Sequence, residues 1–318
     1  MPENTPPYDP ELAATLAALP FAPPPLTPEL IPTLRAMPPF APFQQILGEA
    51  GIAMRDAVVD TADGGQITVS VLEQAGRTGT GPGLYYIHGG GMVSGDRWLG
   101  TEMLIDWIIE HQLVVVTVDY RLAPEHPDPT PVDDCFAGLS WMASHADELG
   151  VDPQRLIVMG GSAGGGLAAG TVLRARDSGS PALLGQLLMS PMLDDRDDTV
   201  STRQFDGHGT WPRVSNTTGW TALLGKRRGT GDVSIYAAPA RATDLSGLPP
   251  TFLDCGSADL FRDETVAYAS RIWETGGDAD LHIWAGAFHA FDGIAPGAIV
   301  SRAARTARTS WLERILSR

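Results

Sequence analysis

The stretch "LIVMGGSAGGG", residues 156 to 166, sets four large apolar side chains ahead of a glycine run broken only by Ser162 and Ala163. An apolar run ending in glycines and followed by "LAAGTVLRARD" reads as strand, tight turn and helix. Three chemistries use such a turn. A phosphate-binding loop needs G-x-x-x-x-G-K-[ST]; Gly160 and Gly165 have the spacing, but Gly166 and Leu167 stand where the lysine and hydroxyl belong. A dinucleotide turn needs G-x-G-x-x-[GA], which Gly164, Gly166 and Ala169 satisfy, yet several strand-helix units precede it. No acidic residue follows at the distance that holds a ribose. The third pattern, G-x-S-x-G over Gly160 to Gly164, puts Ser162 at the apex of a strained turn where bulk at either flanking glycine would collide.

Strands and helices alternate around this turn. "DAVVDTADGGQITVSVLEQA" (56–75) reads as a hairpin about Asp63-Gly64-Gly65. Next come strand "LYYIHGGG" (84–91), helix "TEMLIDWIIEH" (101–111), strand "LVVVTVDY" (113–120) and amphipathic helix "PVDDCFAGLSWMASHADELG" (131–150). After the Ser162 unit the cycle continues with "GQLLMSP" (185–191), "TFLDCG" (251–256), helix "DETVAYASRIWETGG" (263–277), "LHIWAG" (281–286) and a final helix from about Pro296. Near-continuous apolar strands between helices predict an α/β fold with a mostly parallel central sheet flanked by helices on both faces.

Two regions break the rhythm. Thirteen of the 26 prolines fall in the first 42 residues, where Leu12, Leu16, Leu19, Phe21, Leu26, Leu30, Leu34 and Phe40 call for burial. The stretch from Pro191 to Thr251 lacks strand periodicity and contains Trp211 and Trp220. Together they predict a helical cap over the sheet's carboxyl edge: an amino-terminal cap segment over 1–50, a catalytic domain over 51–318, and a cap insertion at about 192–248.

Composition narrows the partners. A net charge of -16 over 318 residues disfavours nucleic acid and anionic membrane surfaces, and no run is long and apolar enough to span a bilayer. Cys135 and Cys255 have no metal or disulfide spacing and read as buried reduced thiols. With no secretory signal pattern at Met1, a cytoplasmic location is expected. No cofactor and no metal is called for; a small neutral molecule is the expected partner, and a homodimer stays open.

A nucleophilic serine needs a base, a group that orients the base, and donors for an oxyanion. Of seven histidines, His289 alone follows a late strand in a loop. His282 alternates within that strand, and His111, His126, His145 and His208 lack such a setting. In "FLDCGSADLFRDE", Asp254 falls within a strand and Asp263 and Glu264 suit a helix's first turn, leaving Asp259 in the loop to orient the histidine. "HGGG", His88 to Gly91, ends another strand. Its backbone N–H groups at Gly89 and Gly90, with that of Ala163, suit an oxyanion hole. Met92, Trp98, Trp211 and Trp220 are the candidate substrate-pocket residues.

"HGGG", "DYRLAPEHP" (119–127), "GGSAGGG", "ADLFRDE" (258–264) and "FHAF" (288–291) occur in the order found in the bacterial hormone-sensitive-lipase-like carboxylesterases of the α/β-hydrolase fold, a family that the chain resembles over nearly its whole length. The resemblance implies Ser162, Asp259 and His289 as a catalytic triad and a short-acyl ester, small and neutral, as substrate. It also implies that Asp119, Arg121 and Glu125 brace the loop near the oxyanion glycines. The chain departs from the family at Gly161, where Asp or Thr is usual, at Gly166, where Asn is common, and at Ala290, where Gly is common. An amidase or acyltransferase with the same triad, and a non-catalytic receptor on the same fold, remain alternatives.

Overall fold

The computed structural model describes residues 4–19, 24–39 and 41–318; Phe21 and Phe40, expected to seek burial, lie outside them. Eight strands form one sheet: β1 (Ile52–Asp60), β2 (Gln66–Gln74), β3 (Gly81–Ile87), β4 (Val114–Asp119), β5 (Val151–Gly161), β6 (Gly185–Met189), β7 (Thr251–Gly256) and β8 (Ala279–Trp284). Their order is β1-β2-β4-β3-β5-β6-β7-β8. The hairpin β1–β2 is antiparallel, as is β2 against β4; the remaining pairs are parallel. The α/β-hydrolase fold expected from the sequence is the fold observed.

Alternate strand residues divide between two cores, as the period of two requires. Tyr85, Ile87, Val116, Val158, Leu188 and Leu253 face one cluster, with the helices Thr130–Ser144 and Ala163–Ser178 packed over it. Leu84, Tyr86, Val115, Ile157, Leu187 and Phe252 face the other, closed by Trp107 and by Trp311 of the last helix, Ile299–Leu316. Burial on both faces explains why β3, β4, β6 and β7 read as near-continuous apolar runs.

The parallel register decides where function can sit. Ile87 pairs with Gly160, Gly161 with Met189, Met189 with Asp254, and Gly256 with Trp284. The loops after β3, β5, β7 and β8 therefore leave the sheet side by side along its carboxyl edge.

Some elements differ in detail. The expected helix 101–111 opens as a 3-10 turn, Thr101–Leu104, after Gly100 at φ 81, and becomes α-helical only from Ile105 to His111. The helix expected over 131–150 breaks at His145, which caps Ala146–Leu149. Leu19 is 39% exposed: the helix Pro10–Ala18 stops just before it, carrying Leu12 inward and leaving Leu19 outside. Leu12, Leu26 and Ile31 are buried, and Leu16, Leu30 and Leu34 half-buried.

The amino-terminal segment and the 192–248 stretch hold each other. Leu26 N–H donates to Ser215 Oγ at 2.8 Å, and Thr218 Oγ1 donates to the Leu26 carbonyl at 2.9 Å. Ser215 and Thr218 belong to the helix Arg213–Leu224. Both cysteines are buried and unpaired, and among the described residues no helix is long and apolar enough to cross a membrane.

Candidate active site

Ser162 caps the helix Ala163–Ser178 with φ 58° and ψ -125°. A β-carbon added at Gly160 would lie 2.1 Å from the Gly164 carbonyl oxygen, and one at Gly164 would lie 2.1 Å from that of Ile87. The turn thus closes only with glycine at both positions, and it holds the serine at a positive φ that costs of order 1–3 kcal/mol in isolation. The Ser162 N–H donates to Met189 O at 2.8 Å, tying the turn to β6.

Three loops bring the polar groups together. His289 Nε2 lies 2.9 Å from Ser162 Oγ. On its other side His289 Nδ1 lies 3.0 Å from Asp259 Oδ2, which as a carboxylate oxygen accepts the Nδ1 proton. That tautomer leaves Nε2 free to accept from the serine hydroxyl. Asp259 is buried and its other oxygen accepts from Phe261 N–H at 3.0 Å. Burial pushes its carboxyl up, but the charge and hydrogen bond of His289, with Phe261 N–H and Ser190, hold it below the ordinary carboxylate value.

His289 is held from two further directions. Its carbonyl accepts from Thr210 Oγ1 at 2.7 Å, and its ring meets Phe261 edge-on at 5.1 Å. Ala290, next in the chain, sits at φ 61°, the left-handed region that glycine enters most easily.

The "HGGG" loop lies against the serine. A β-carbon at Gly89 would lie 3.3 Å from Ser162 Cβ, and Gly90, at φ 111°, has no room because a β-carbon there would lie 2.1 Å from Ser94 O. The Gly89 and Gly90 N–H groups donate to no backbone carbonyl among the described residues, and Ala163, first in its helix, has no intrahelical acceptor. His88 fixes the loop from inside: its ring stacks on Tyr120 at 4.3 Å, and the Tyr120 hydroxyl donates to the His88 carbonyl at 3.1 Å. Burial pushes the His88 imidazole below its ordinary value, and its Nδ1 lies 2.7 Å from Gly89 O.

The charges of "DYRLAPEHP" hold four different neighbours. Asp119 accepts from the Arg97 amide at 2.7 Å and pairs with its guanidinium. Arg121 reaches Asp134 and the hairpin's Asp63. Glu125 pairs at 2.9 Å with Arg35 of the amino-terminal segment.

The four candidate pocket residues are dispersed. Trp211 is at the site: its ring contacts Gly91, where Cη2 would lie 2.5 Å from an added β-carbon, and is 6.4 Å from the His289 ring. Met92 and Trp220 are fully buried in the main core. Trp98 is half-buried beneath the Arg97 guanidinium, 4.9 Å from its ring, and packs on the opposite core. Sequence reasoning did not single out Tyr120, Ser190 and Thr210, which hold the loops of the site. Only Tyr120 lay in a recognisable motif; the other two contacts arise from packing between distant segments.

Comparison with known proteins supports one family. The sequence profile of a family described as alpha/beta hydrolase fold matches residues 84–293. The carboxylesterase NlhH of Mycobacterium tuberculosis is 37% identical over 208 residues, 63% of this chain and 63% of that protein, so the match spans less than two thirds of that relative. Among solved structures, a bacterial heroin esterase superposes with a TM-score of 0.87 at 38% identity, covering 97% of this chain and 98% of that one. The esterase LipW of Mycobacterium marinum superposes with a TM-score of 0.83 at 32% identity, covering 98% of each chain. The chain belongs to the α/β-hydrolase family, in its hormone-sensitive-lipase-like branch.

Proposed function

We propose that the protein is a serine carboxylesterase that hydrolyses small, neutral, short-acyl esters through an acyl-enzyme. The observation that carries this is the unbroken hydrogen-bond chain from Asp259 through His289 to Ser162, at 3.0 and 2.9 Å, on a serine facing the Gly89 and Gly90 loop. His289 Nε2 takes the hydroxyl proton as Ser162 Oγ bonds to the ester carbonyl carbon. The N–H groups of Gly89, Gly90 and Ala163 receive the negative charge on the carbonyl oxygen. Collapse breaks the carbon–alkoxy bond, and His289 returns its proton to the departing alcohol. A water then loses a proton to His289, attacks the acyl carbon and frees the acid, while the proton goes back to Ser162.

The amino-terminal segment and residues 192–248 act together as the cap. Their mutual hydrogen bonds and the contact of Trp211 with Gly91 support that division. Trp211 narrows the space beside the oxyanion loop, which favours a short acyl group. The buried, unpaired Cys135 and Cys255 fit a reducing, cytoplasmic setting.

The test is hydrolysis of nitrophenyl esters from acetate to decanoate by the protein and by Ser162→Ala. The protein is expected to turn over the short esters fastest, and Ser162→Ala to lose at least about ten-thousandfold in kcat. Absence of turnover on every ester, or an unimpaired Ser162→Ala, overturns the reading.

A further inference from the structure

Below the loops that carry Asp259 and His289 lies a buried charge cluster that the chemistry above does not use. Arg308, 4% exposed on the helix Ile299–Leu316, donates from Nε to Asp254 Oδ2 at 2.8 Å and pairs through Nη1 with Asp292. The same Asp254 oxygen accepts from Trp284 Nε1 at 3.0 Å, while Asp254 Oδ1 has no hydrogen-bond partner among the described residues.

Each member comes from a different part of the catalytic framework. Asp254 is on β7, whose exit loop carries Asp259, and Trp284 ends β8, whose exit loop carries His289. Asp292 is in the short helix Phe291–Ile294 just after His289. Arg308 therefore ties the strand before the acid to the helix after the base.

Above the cluster the two loops touch directly. Ser257 N–H donates to Trp284 O at 2.9 Å, Ala258 N–H to Ala287 O at 3.0 Å, and Gly286 N–H to Ser257 Oγ at 2.8 Å. Gly256 is pressed so closely that an added β-carbon would lie 2.0 Å from Ala287 O. A shift of either loop would therefore be passed to the other.

Stability alone does not account for such a cluster, because desolvating buried charges offsets most of what their attraction returns. Its charges are also unequal. Burial pushes both carboxyls up; Arg308 outweighs this at Asp292, which is held below the ordinary carboxylate value, but not at Asp254, which remains raised. What a planar guanidinium supplies is geometry, a fixed fork between two acceptors on two elements.

We propose that Arg308 is a positioning residue for the acid–base pair: by holding Asp254 and Asp292 in one fork it sets the separation of the Asp259 and His289 loops without touching substrate. This rests on the esterase reading above. The affected contact is the 3.0 Å bond between His289 Nδ1 and Asp259 Oδ2, and a displacement of about 1 Å in such a group can cost about a hundredfold in rate.

The experiment measures kcat and KM on nitrophenyl acetate for the full-length protein, Arg308→Met, Arg308→Lys and Asp292→Asn, well below the melting temperature of each. Arg308→Met is expected to lose about ten- to a hundredfold in kcat with KM within about threefold. Arg308→Lys, which cannot span both carboxylates, should recover only part. Asp292→Asn keeps an acceptor without its charge and should fall between, and it decides the matter if Arg308→Met does not fold. In an Asp259→Ala background, Arg308→Met should reduce kcat little further, since both changes act through one contact. Folded variants with unchanged kcat and a lowered melting temperature, or losses that multiply in the double variant, overturn the positioning role. A protein inactive on all esters overturns both readings, whereas an active protein with fully active variants overturns this one alone.

Discussion

A β-carbon added at Gly166 would lie 2.0 Å from the Met192 carbonyl oxygen, whereas one added at Gly161 would lie 3.2 Å from Met189 Cε, the free end of a flexible side chain. These are two of the positions that the sequence sets apart from the pattern of the family it resembles, and they have opposite tolerance. In a helix, replacing glycine by alanine gains about 1 kcal/mol, but an overpacked site costs about 1–3 kcal/mol or more. A backbone oxygen that close cannot step aside without moving the segment after β6. Thermal denaturation is expected to show Gly166→Ala destabilised by at least about 1 kcal/mol and Gly161→Ala within about 0.5 kcal/mol of the parent. An equal response at the two positions would contradict the packing argument. The departures were visible in the sequence; their tolerance was not, because the colliding atom belongs to a different loop.

The amino-terminal helix Ile31–Arg35 is too short to persist by itself. Arg35 holds it down: Nε donates to Val93 O at 2.6 Å, Nη2 to Ala123 O at 2.7 Å, and both Nη atoms reach Glu125 at 2.9 Å. The ion pair is the weaker part, since the Glu125 side chain is 58% exposed and such pairs contribute at most about 1 kcal/mol. The bonds to two part-buried carbonyls, from a charged donor, contribute about 1.5–3 kcal/mol each. Arg35→Ala should accelerate amide exchange over residues 24–39 by at least about tenfold, while Glu125→Gln should change it about threefold or less. If both variants exchange alike, the ion pair and not the carbonyl clamp holds the segment. The proline-rich start was legible as an accessory segment wanting burial; that Arg35 is one of its anchors, beside the Leu26 bonds to Ser215 and Thr218, followed only from the fold.

Across the whole molecule the acidic excess of 38 Asp and Glu over 22 Lys and Arg hides buried and half-buried carboxyls that respond to pH in opposite senses. Asp259 and Asp292 lie below the ordinary carboxylate value in the folded protein. Their contribution is present above the unfolded value and is lost as pH falls through the folded one, so acid removes it. Glu264 is the reverse. Buried on the helix Arg262–Glu274, it accepts from Leu193 N–H at 2.7 Å through Oε1, its Oε2 has no hydrogen-bond partner among the described residues, and burial pushes its carboxyl well above the ordinary range. A raised value means stability present at low pH and lost as pH rises through it. Glu264→Gln keeps the acceptor for Leu193 and removes the titration. Its melting temperature relative to the parent should therefore climb between about pH 5 and pH 8; a constant difference across that range would show that folding does not raise the Glu264 carboxyl.

The sequence by itself determined the element types, the alternation that makes a mostly parallel sheet, and which loops share its carboxyl edge. These follow from hydrophobic period and turn sterics, both written within a few residues. It also put forward Ser162, Asp259, His289 and the "HGGG" loop, since each stands at the end of a strand. Only the tertiary structure decided that Trp211 lies against Gly91 while Met92 and Trp220 sit in the core and Trp98 packs on the far face of the sheet. Their order in the chain says nothing about which face an inserted segment turns toward the sheet. The Arg35 clamp and the Asp254–Arg308–Asp292 cluster were illegible for the same reason: each joins elements far apart in sequence, and the packing that brings their charges together is set by the whole fold and by no local pattern.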